Sequence, residues 1–336
     1  MTIPIVVTGA AGFIGMHVAE RLLDQGEEVI GVDVFNAYYS LALKDARAAR
    51  LEGRPGFRMV RMDIADHGAF AELIKTSGTK RVIHLAAQAG VRYSIENPFA
   101  YERSNLAGHL SVLEACRTAE IEHLVYASSS SVYGDRPLNG EGFRETDPAN
   151  DPVSLYAATK RSCEMLSQSY ARLYGFPQTG LRFFTVYGPW GRPDMAYYGF
   201  AEKMLKGASI EVYGEGRMAR DFTYIDDIVD GILGVLKHPP APGGHEIYNI
   251  GDSDPVGLMD MIATLEAALG IEAKKVLVPM QPGDVPATFA NIDKLKALCG
   301  YKPKINLAEG LARFVAWRID FGNGFRTTEM KFPVPR

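Results

Sequence analysis

The sequence predicts an α/β protein built on a doubly wound parallel sheet with a smaller mixed α/β lobe, and three observations carry that expectation. An apolar run at residues 3–7 leads straight into a glycine-rich turn, strand-like and helix-like patterns alternate as far as residue 184, and beyond residue 188 the alternation gives way to proline- and glycine-rich loops. Such alternation is the pattern of a parallel sheet covered by helices on both faces. At 336 residues and 47% hydrophobic content the chain also exceeds what a single core usually supports, so two lobes are expected.

The first unit is the most specific. Ile3, Pro4, Ile5, Val6 and Val7 read as a buried strand, Thr8-Gly9-Ala10-Ala11-Gly12-Phe13-Ile14-Gly15 as a tight turn, and residues 16–25 as a helix with Val18, Leu22 and Leu23 on its inner side. Strand, glycine turn and helix start in that order predict a Rossmann-type dinucleotide site. Gly9 permits the turn, Gly12 lets the backbone approach a pyrophosphate, and Gly15 allows helix and strand to pack closely. The helix start offers unpaired amides and a favourable dipole to the anion. A second strand, residues 28–32, ends at Asp33, roughly twenty residues past the turn. A carboxylate there accepts hydrogen bonds from an adenosine ribose and repels a 2′-phosphate, which predicts NAD rather than NADP.

Further strands are predicted at 57–62, 81–85, 123–127 and 178–183, with helices at 42–51, 67–76, 99–119 and 152–174. Ligands in such a sheet sit at the carboxyl ends of the strands. Asp63 and Ile64 close the third strand, where they would flank an adenine. Leu85, Ala86 and Ala87 close the fourth, where small side chains leave room for a dinucleotide. In the C-terminal part a short strand is predicted at 210–213 and helices at 227–237, 258–269 and 307–319.

Tyr156 and Lys160 stand four residues apart in the predicted helix 152–174, so they share one face, and Ser128, Ser129, Ser130 and Ser131 follow the strand at 123–127. A free tyrosine, with a pKa of about 10, is a poor base at neutral pH. An ammonium beneath it, helped by a cationic nicotinamide, favours its ionised form and brings it into the range where general-base catalysis is efficient. A serine hydroxyl then orients the substrate oxygen. Taken alone, such a pair is also what any exposed helix face presents; the glycine turn supplies the context.

Composition excludes several classes. The net charge of −4, with both signs interspersed, gives no field for nucleic acid or anionic lipid, and neither partner is expected. Cys116, Cys163 and Cys299 are scattered and odd in number, which suits reduced thiols in a cytoplasmic protein. The seven histidines show no ligand spacing, so no metal site is expected. No signal peptide and no apolar run of spanning length is read.

Together TGAAGFIG, Asp63, HLAAQAG, Asn105, SSSSVYG, YAATK and RFFTVYGP resemble the extended short-chain dehydrogenase/reductase family, in its nucleotide-sugar epimerase and dehydratase branch. The resemblance runs over nearly the whole chain. It implies an NAD-binding domain over residues 1–184 that carries the catalytic residues, and a predominantly nucleotide-sugar-binding lobe over 185–336 with some interleaving. It implies Tyr156 as general base and acid, Lys160 as the cation that lowers its pKa and binds the nicotinamide ribose, and Ser129 as partner of the reacting hydroxyl. Asn105, Ser128, Phe183 and Val186 match positions that line the cofactor, and Gly9, Gly12, Phe13, Ile14, Gly15, Asp33, Asp63 and Ile64 match its dinucleotide contacts.

Family dehydratases carry a glutamate, usually with an aspartate before it, where this chain has Ser131 and Ser130. A hydroxyl is far too weak an acid–base catalyst to replace that carboxylate. The resemblance therefore implies 4-epimerisation with NAD regenerated in each cycle. In detail, TVYGPWGRPDMA, residues 36–39 and residues 89–94 are similar to the family's UDP-glucuronate 4-epimerases. An arginine fork suits a carboxylate, so Arg192 and Thr185, with Ser130, Ser131 and Arg92, are the expected sugar contacts. Arg217, Arg220 and Asp284 are the expected nucleotide contacts. A homodimer through the helices at 99–119 and 152–174 is also implied. Decarboxylation of UDP-glucuronate, 4-epimerisation of neutral UDP-hexoses and a non-catalytic NAD-binding regulator are the alternatives.

Overall fold

The computed structural model describes residues 3–136, 140–280 and 285–324. Its main sheet has seven strands: β1 (Ile5–Thr8), β2 (Val29–Asp33), β3 (Phe57–Arg61), β4 (Arg81–His84), β5 (His123–Ser129), β6 (Gln178–Phe183) and, from far along the chain, β10 (His245–Ile250). Their order is β10-β6-β5-β4-β1-β2-β3 and every neighbouring pair is parallel. The order reverses at β1, between β2 and β4, and the crevice outside that point is where such a sheet takes a ligand.

Side chains alternate across this sheet as strand geometry requires. From β1, Ile5 and Val7 enter the core packed with α1 (Phe13–Asp24) and α9 (Ile225–Leu236), whereas Val6 faces the core formed with α3 (His67–Ser77) and α6 (Gly108–Thr118). Each fully buried aliphatic side chain contributes about 1.5–3 kcal/mol relative to exposure. The remaining helices of this half are α2 (Leu41–Leu51), the short α4 (Tyr93–Glu96) and α5 (Pro98–Tyr101), and α7 (Leu155–Tyr174). Ser154 starts α7 by accepting the Ala157 amide at 3.1 Å, and Gly175, in the left-handed region, ends it.

The second half contains β7 (Thr185–Tyr187), α8 (Ala196–Leu205), β8 (Ile210–Val212), β9 (Ala219–Tyr224), β11 (Pro255–Gly257), α10 (Leu258–Leu269), β12 (Lys275–Leu277), β13 (Ala287–Thr288), α11 (Asp293–Cys299) and α12 (Leu307–Gly324). β9 pairs in parallel with β7 and β13 and antiparallel with β11, forming a small mixed sheet beside the main one.

Two features of the fold are not predicted by the sequence. The helix predicted at 99–119 forms as a continuous helical stretch, but its segment Glu102–Ala107, between α5 and α6, is π-helical. Asn105 lies in it, and its side chain is committed to Gln88 and Thr159 on other elements. In the C-terminal part the predicted helices form, and residues 245–250, where no strand is predicted, make β10, the edge of the main sheet beside β6. Among the described residues no helix is long and apolar enough to cross a membrane.

Candidate active site

One cleft runs along the carboxyl ends of the main strands. Gly9, Gly12, Phe13, Ile14, Gly15, Asp33, Asp63, Ile64, Leu85, Ala86 and Ala87 line one end, and Ser128, Ser129, Tyr156, Lys160, Phe183, Val186 and Arg192 the other.

At the first end, the glycines make a cradle that side chains would fill. Gly9 has φ +73°, and a Cβ there would lie 2.8 Å from the Ala86 nitrogen; one on Gly15 would lie 2.0 Å from the Gly9 carbonyl oxygen. The start of α1 has glycine as its cap, no side-chain capping bond and no acidic residue in its first turn. Its amides are therefore presented to the cleft, which suits a pyrophosphate. Asp33 accepts the Ala11 amide at 3.0 Å and the Phe35 amide at 2.8 Å, which fixes the carboxylate at the cleft wall with lone pairs left for a ribose. Asp63 accepts from the Ala65 amide at 2.9 Å and from Arg103 Nε at 2.8 Å. Donors, carboxylates and open volume at this end fit a dinucleotide.

At the second end, β5 delivers Ser129 and α7 delivers Tyr156 and Lys160. Lys160 is buried and donates to the Ala127 carbonyl at 2.9 Å, so its ammonium is held at the strand end. Ser129 accepts the Ser131 amide at 3.2 Å. The Tyr156 ring meets the edge of Tyr101, with centroids 6.1 Å apart at 77°. Behind this wall, Ser128 donates to Glu164 Oε1 at 2.6 Å, and Arg182 grips both oxygens of the same carboxylate at 2.8 Å. Burial opposes the charge on Glu164, but the Arg182 guanidinium and its hydrogen bonds outweigh burial and hold the carboxyl below its usual range. Asn105, expected to line the cofactor, stands one layer back. It accepts the Gln88 amide at 2.8 Å and donates to the Gln88 carbonyl and to Thr159 Oγ1, both at 3.0 Å.

The expected sugar and nucleotide contacts are spread more widely. Arg192 lines the cleft, but its fork is already filled: Nε reaches Asp194 Oδ1 at 3.0 Å and Nη2 reaches Oδ2 at 2.5 Å. Burial opposes ionisation of Asp194, yet the Arg192 charge and hydrogen bonds prevail and lower its pKa. Thr185 on β7 and Ser130 and Ser131 on a 3₁₀ turn after β5 are half-buried and stand outside the cleft lining. Arg92 lies over the Tyr213 ring at 4.8 Å. Arg217 is exposed and pairs with Glu215 at 2.8 Å, and Arg220 donates to the carbonyls of Ala219 and Pro286. Asp284 lies outside the described residues.

Other cleft residues carried no individual role in the sequence reading: Tyr38, Tyr39, Lys44, Gln88 and Met195. Tyr38 donates to Asp194 Oδ2 at 3.1 Å. Lys44 donates to Asn36 Oδ1 at 2.7 Å, and burial, only partly offset by the nearby Asp33 charge, lowers its pKa to about 8. A lysine on the inner face of a predicted helix was the available signal.

A family model described as the NAD dependent epimerase/dehydratase family matches residues 5–251. A probable UDP-glucuronate 4-epimerase of Rhizobium meliloti (strain 1021) is 46% identical over 328 residues, covering 93% of this chain and 96% of the relative. The crystal structure of UDP-glucuronic acid 4-epimerase from Bacillus cereus, in complex with UDP-glucuronic acid and NAD, superposes with a TM-score of 0.89 at 34% identity, covering 95% of this chain and 99% of that one. A dTDP-glucose 4,6-dehydratase double mutant from Streptomyces venezuelae, with NAD bound, reaches 0.88 at 29% identity, covering 96% and 98%. Backbone likeness therefore does not separate epimerase from dehydratase; the side chains at the end of β5 have to.

Proposed function

Because the chain belongs to the NAD-dependent epimerase/dehydratase family, we propose that it interconverts UDP-glucuronate and UDP-galacturonate by 4-epimerisation. The observation that carries this reading is the cleft's second end. Ser129, Tyr156 and Lys160 line it together, the turn after β5 carries Ser130 and Ser131 in place of the carboxylates a dehydratase uses, and Arg192 faces the same space.

The glycine cradle, the first turn of α1, Asp33 and Asp63 hold NAD, which when bound accepts the C4 hydride of the sugar and returns it. Tyr156 takes the proton from the C4 hydroxyl while Ser129 holds that oxygen, and the cation on Lys160 stands by the strand end to balance the charge. The 4-keto sugar turns over in the cleft. Tyr156 then gives the proton back to O4 after hydride has returned to the opposite face, so protons and electrons balance with no outside redox partner. Thr185 and Arg192 are assigned to the C5 carboxylate, Arg92, Ser130 and Ser131 to the sugar, and Arg217, Arg220 and Asp284 to the nucleotide. The domain division is residues 1–184 for the cofactor and, predominantly, 185–336 for the nucleotide sugar.

The protein is further assigned as a cytoplasmic homodimer. Cys116 and Cys163 are buried and unpaired, which suits a reducing compartment, and α6 and α7 expose Leu110, Met165 and Leu173, which a second copy would cover. Sedimentation of the purified protein at micromolar concentration tests the dimer.

One observation favours a second reading, 4-epimerisation of neutral UDP-hexoses: Asp194 already neutralises Arg192. Incubating the protein with UDP-glucuronate and, separately, UDP-glucose, and resolving galacturonate, galactose and pentose products, decides between them. Turnover of UDP-glucose alone would remove the uronate assignment.

A further inference from the structure

Arg192 and Asp194 sit two residues apart on the loop between β7 and α8. The Asp194 carboxylate occupies the guanidinium side-on, both oxygens engaged, in the geometry a sugar carboxylate would need. The two side chains keep 25% and 26% of their surface, so the pair is neither sealed in the core nor loose in solvent. A third group completes the arrangement: the Tyr38 hydroxyl donates to Asp194 Oδ2 at 3.1 Å.

Tyr38 is the fixed member. Its ring lies against Tyr93 at 4.7 Å and Tyr39 at 6.0 Å, and its hydroxyl is so close to the Gly90 backbone that a Cβ on Gly90 would stand 2.5 Å away. Residue 194 is exposed as a whole, whereas Tyr38 is half-buried. When one group has to move, it is the aspartate.

We propose that Asp194 is a specificity residue, filling the Arg192 fork when the sugar brings no carboxylate and yielding it when the sugar does; the inference rests on the reading of Arg192 as the uronate's partner. A bare guanidinium in a cleft closed by a neutral sugar would be a desolvated, uncompensated charge, which is costly. With Asp194 in place, a neutral UDP-hexose meets a neutral pair. A uronate must displace that pair, so Asp194 lowers affinity for the acid and raises tolerance of the neutral sugar. It is a positioning group acting through Arg192, and its effect falls on selectivity.

The test uses the NAD-loaded enzyme as wild type, Asp194→Asn and Tyr38→Phe, with kcat and KM measured for UDP-glucuronate and UDP-glucose and calorimetric binding of both. For Asp194→Asn, the uronate KM falls about fivefold with kcat little changed, as expected for release of a partly exposed pair, and UDP-glucose binding weakens by at least that much. Tyr38→Phe loosens the latch without removing it, and moves the uronate KM in the same direction by a smaller factor. A loss of structure leaves neither pattern, because it weakens both substrates together. A uronate-selective wild type whose Asp194→Asn variant binds UDP-glucuronate more weakly would overturn the inference alone, making Asp194 a support for Arg192. A wild type without preference for the acid would overturn the substrate reading and the inference with it.

Discussion

Arg47 donates twice to the main-chain carbonyl of Trp190, from Nε at 3.0 Å and from Nη2 at 2.6 Å. The same guanidinium reaches the carbonyls of Gly191 at 2.8 Å and Ala11 at 3.3 Å and the hydroxyl of Tyr39 at 2.6 Å. Arg47 is fully buried on α2, and Trp190 has φ +62°, in the left-handed region where a bulky residue is held only by its surroundings. One side chain thus ties the glycine turn to the loop that carries Arg192.

Arg47→Met strands three carbonyls in a closed space, at about 1–3 kcal/mol for each one left unsatisfied. The expected outcome is a lower melting temperature together with a rise of about tenfold in the KM for the UDP-sugar, larger than the change in kcat. Steady-state kinetics alongside thermal unfolding check it. An unaltered KM in a folded variant would show that the loop keeps its place without Arg47.

The 4-keto uronate raises a hazard that the roles proposed for Arg192 and Thr185 would control. With a ketone at C4, the carboxylate at C5 is that of a β-keto acid, and it leaves as carbon dioxide when its C–C bond aligns with the carbonyl π system. The bonding pair passes to C5, which then takes up a proton. A carboxylate held out of that alignment keeps its carbon. Arg192→Ala and Thr185→Ala are each expected to raise the pentose share of product several-fold and to raise the uronate KM, the arginine more than the threonine. Chromatography of the UDP-sugars reads both, and an unchanged product ratio in a variant that still turns over counts against the restraint.

Much of this site was legible because local chemistry fixes it. β1, the glycine turn and α1 read directly from an apolar run, three glycines and a helical period, and Tyr156 and Lys160 follow from i, i+4 spacing on α7. What escaped depends on residues far away in sequence. The π segment keeps an ordinary helical pattern, and it is visible only once Asn105 is seen bonding to Gln88 and Thr159. β10 is a short run whose first three residues are only half-buried, so its place at the sheet edge is set by β6 and not by its own composition. Asp194 lay inside a segment already singled out, but its hold on Arg192 is a property of the folded loop.

Asp252 makes stability fall with rising pH. Burial, reinforced by the charges of Asp221, Asp227 and Asp254, pushes its pKa up to about 7, against about 3.9 in an unfolded chain. Between those values the native protein keeps a proton that the unfolded chain has released, so stability declines across roughly pH 4 to 7 and the penalty is complete above 7. Asp252→Asn removes the titration. The variant is expected to be more stable than wild type at pH 8, by about 1 kcal/mol after allowance for solvent screening, with the gap closing towards pH 4. Urea unfolding at the two pH values measures it, and an equal gap at both would refute the assignment.

Lys44 carries the opposite sign. Burial lowers its pKa to about 8, whereas an exposed lysine titrates near 10.4. Between those values the unfolded chain holds the extra proton, so stability rises with pH across this window, and below pH 8 the folded protein bears the full cost of a buried ammonium. That cost is tolerated where the charge has work to do, and Lys44 lines the cleft with Asp33 nearby and Asn36 as its hydrogen-bond partner, at the end assigned to the adenosine ribose. Lys44→Met is therefore expected to separate stability from cofactor retention. Relative to wild type, the NAD-free variant gains stability at pH 7, and the advantage shrinks by about 2 kcal/mol at pH 10, where the native lysine is already neutral. Its affinity for NAD at pH 7 falls about tenfold, the loss of one charge-assisted contact. Urea unfolding of both NAD-free proteins at the two pH values, with calorimetric titration of NAD, reads the two effects separately. A variant with wild-type NAD affinity and a pH-independent stability difference would leave Lys44 as packing alone.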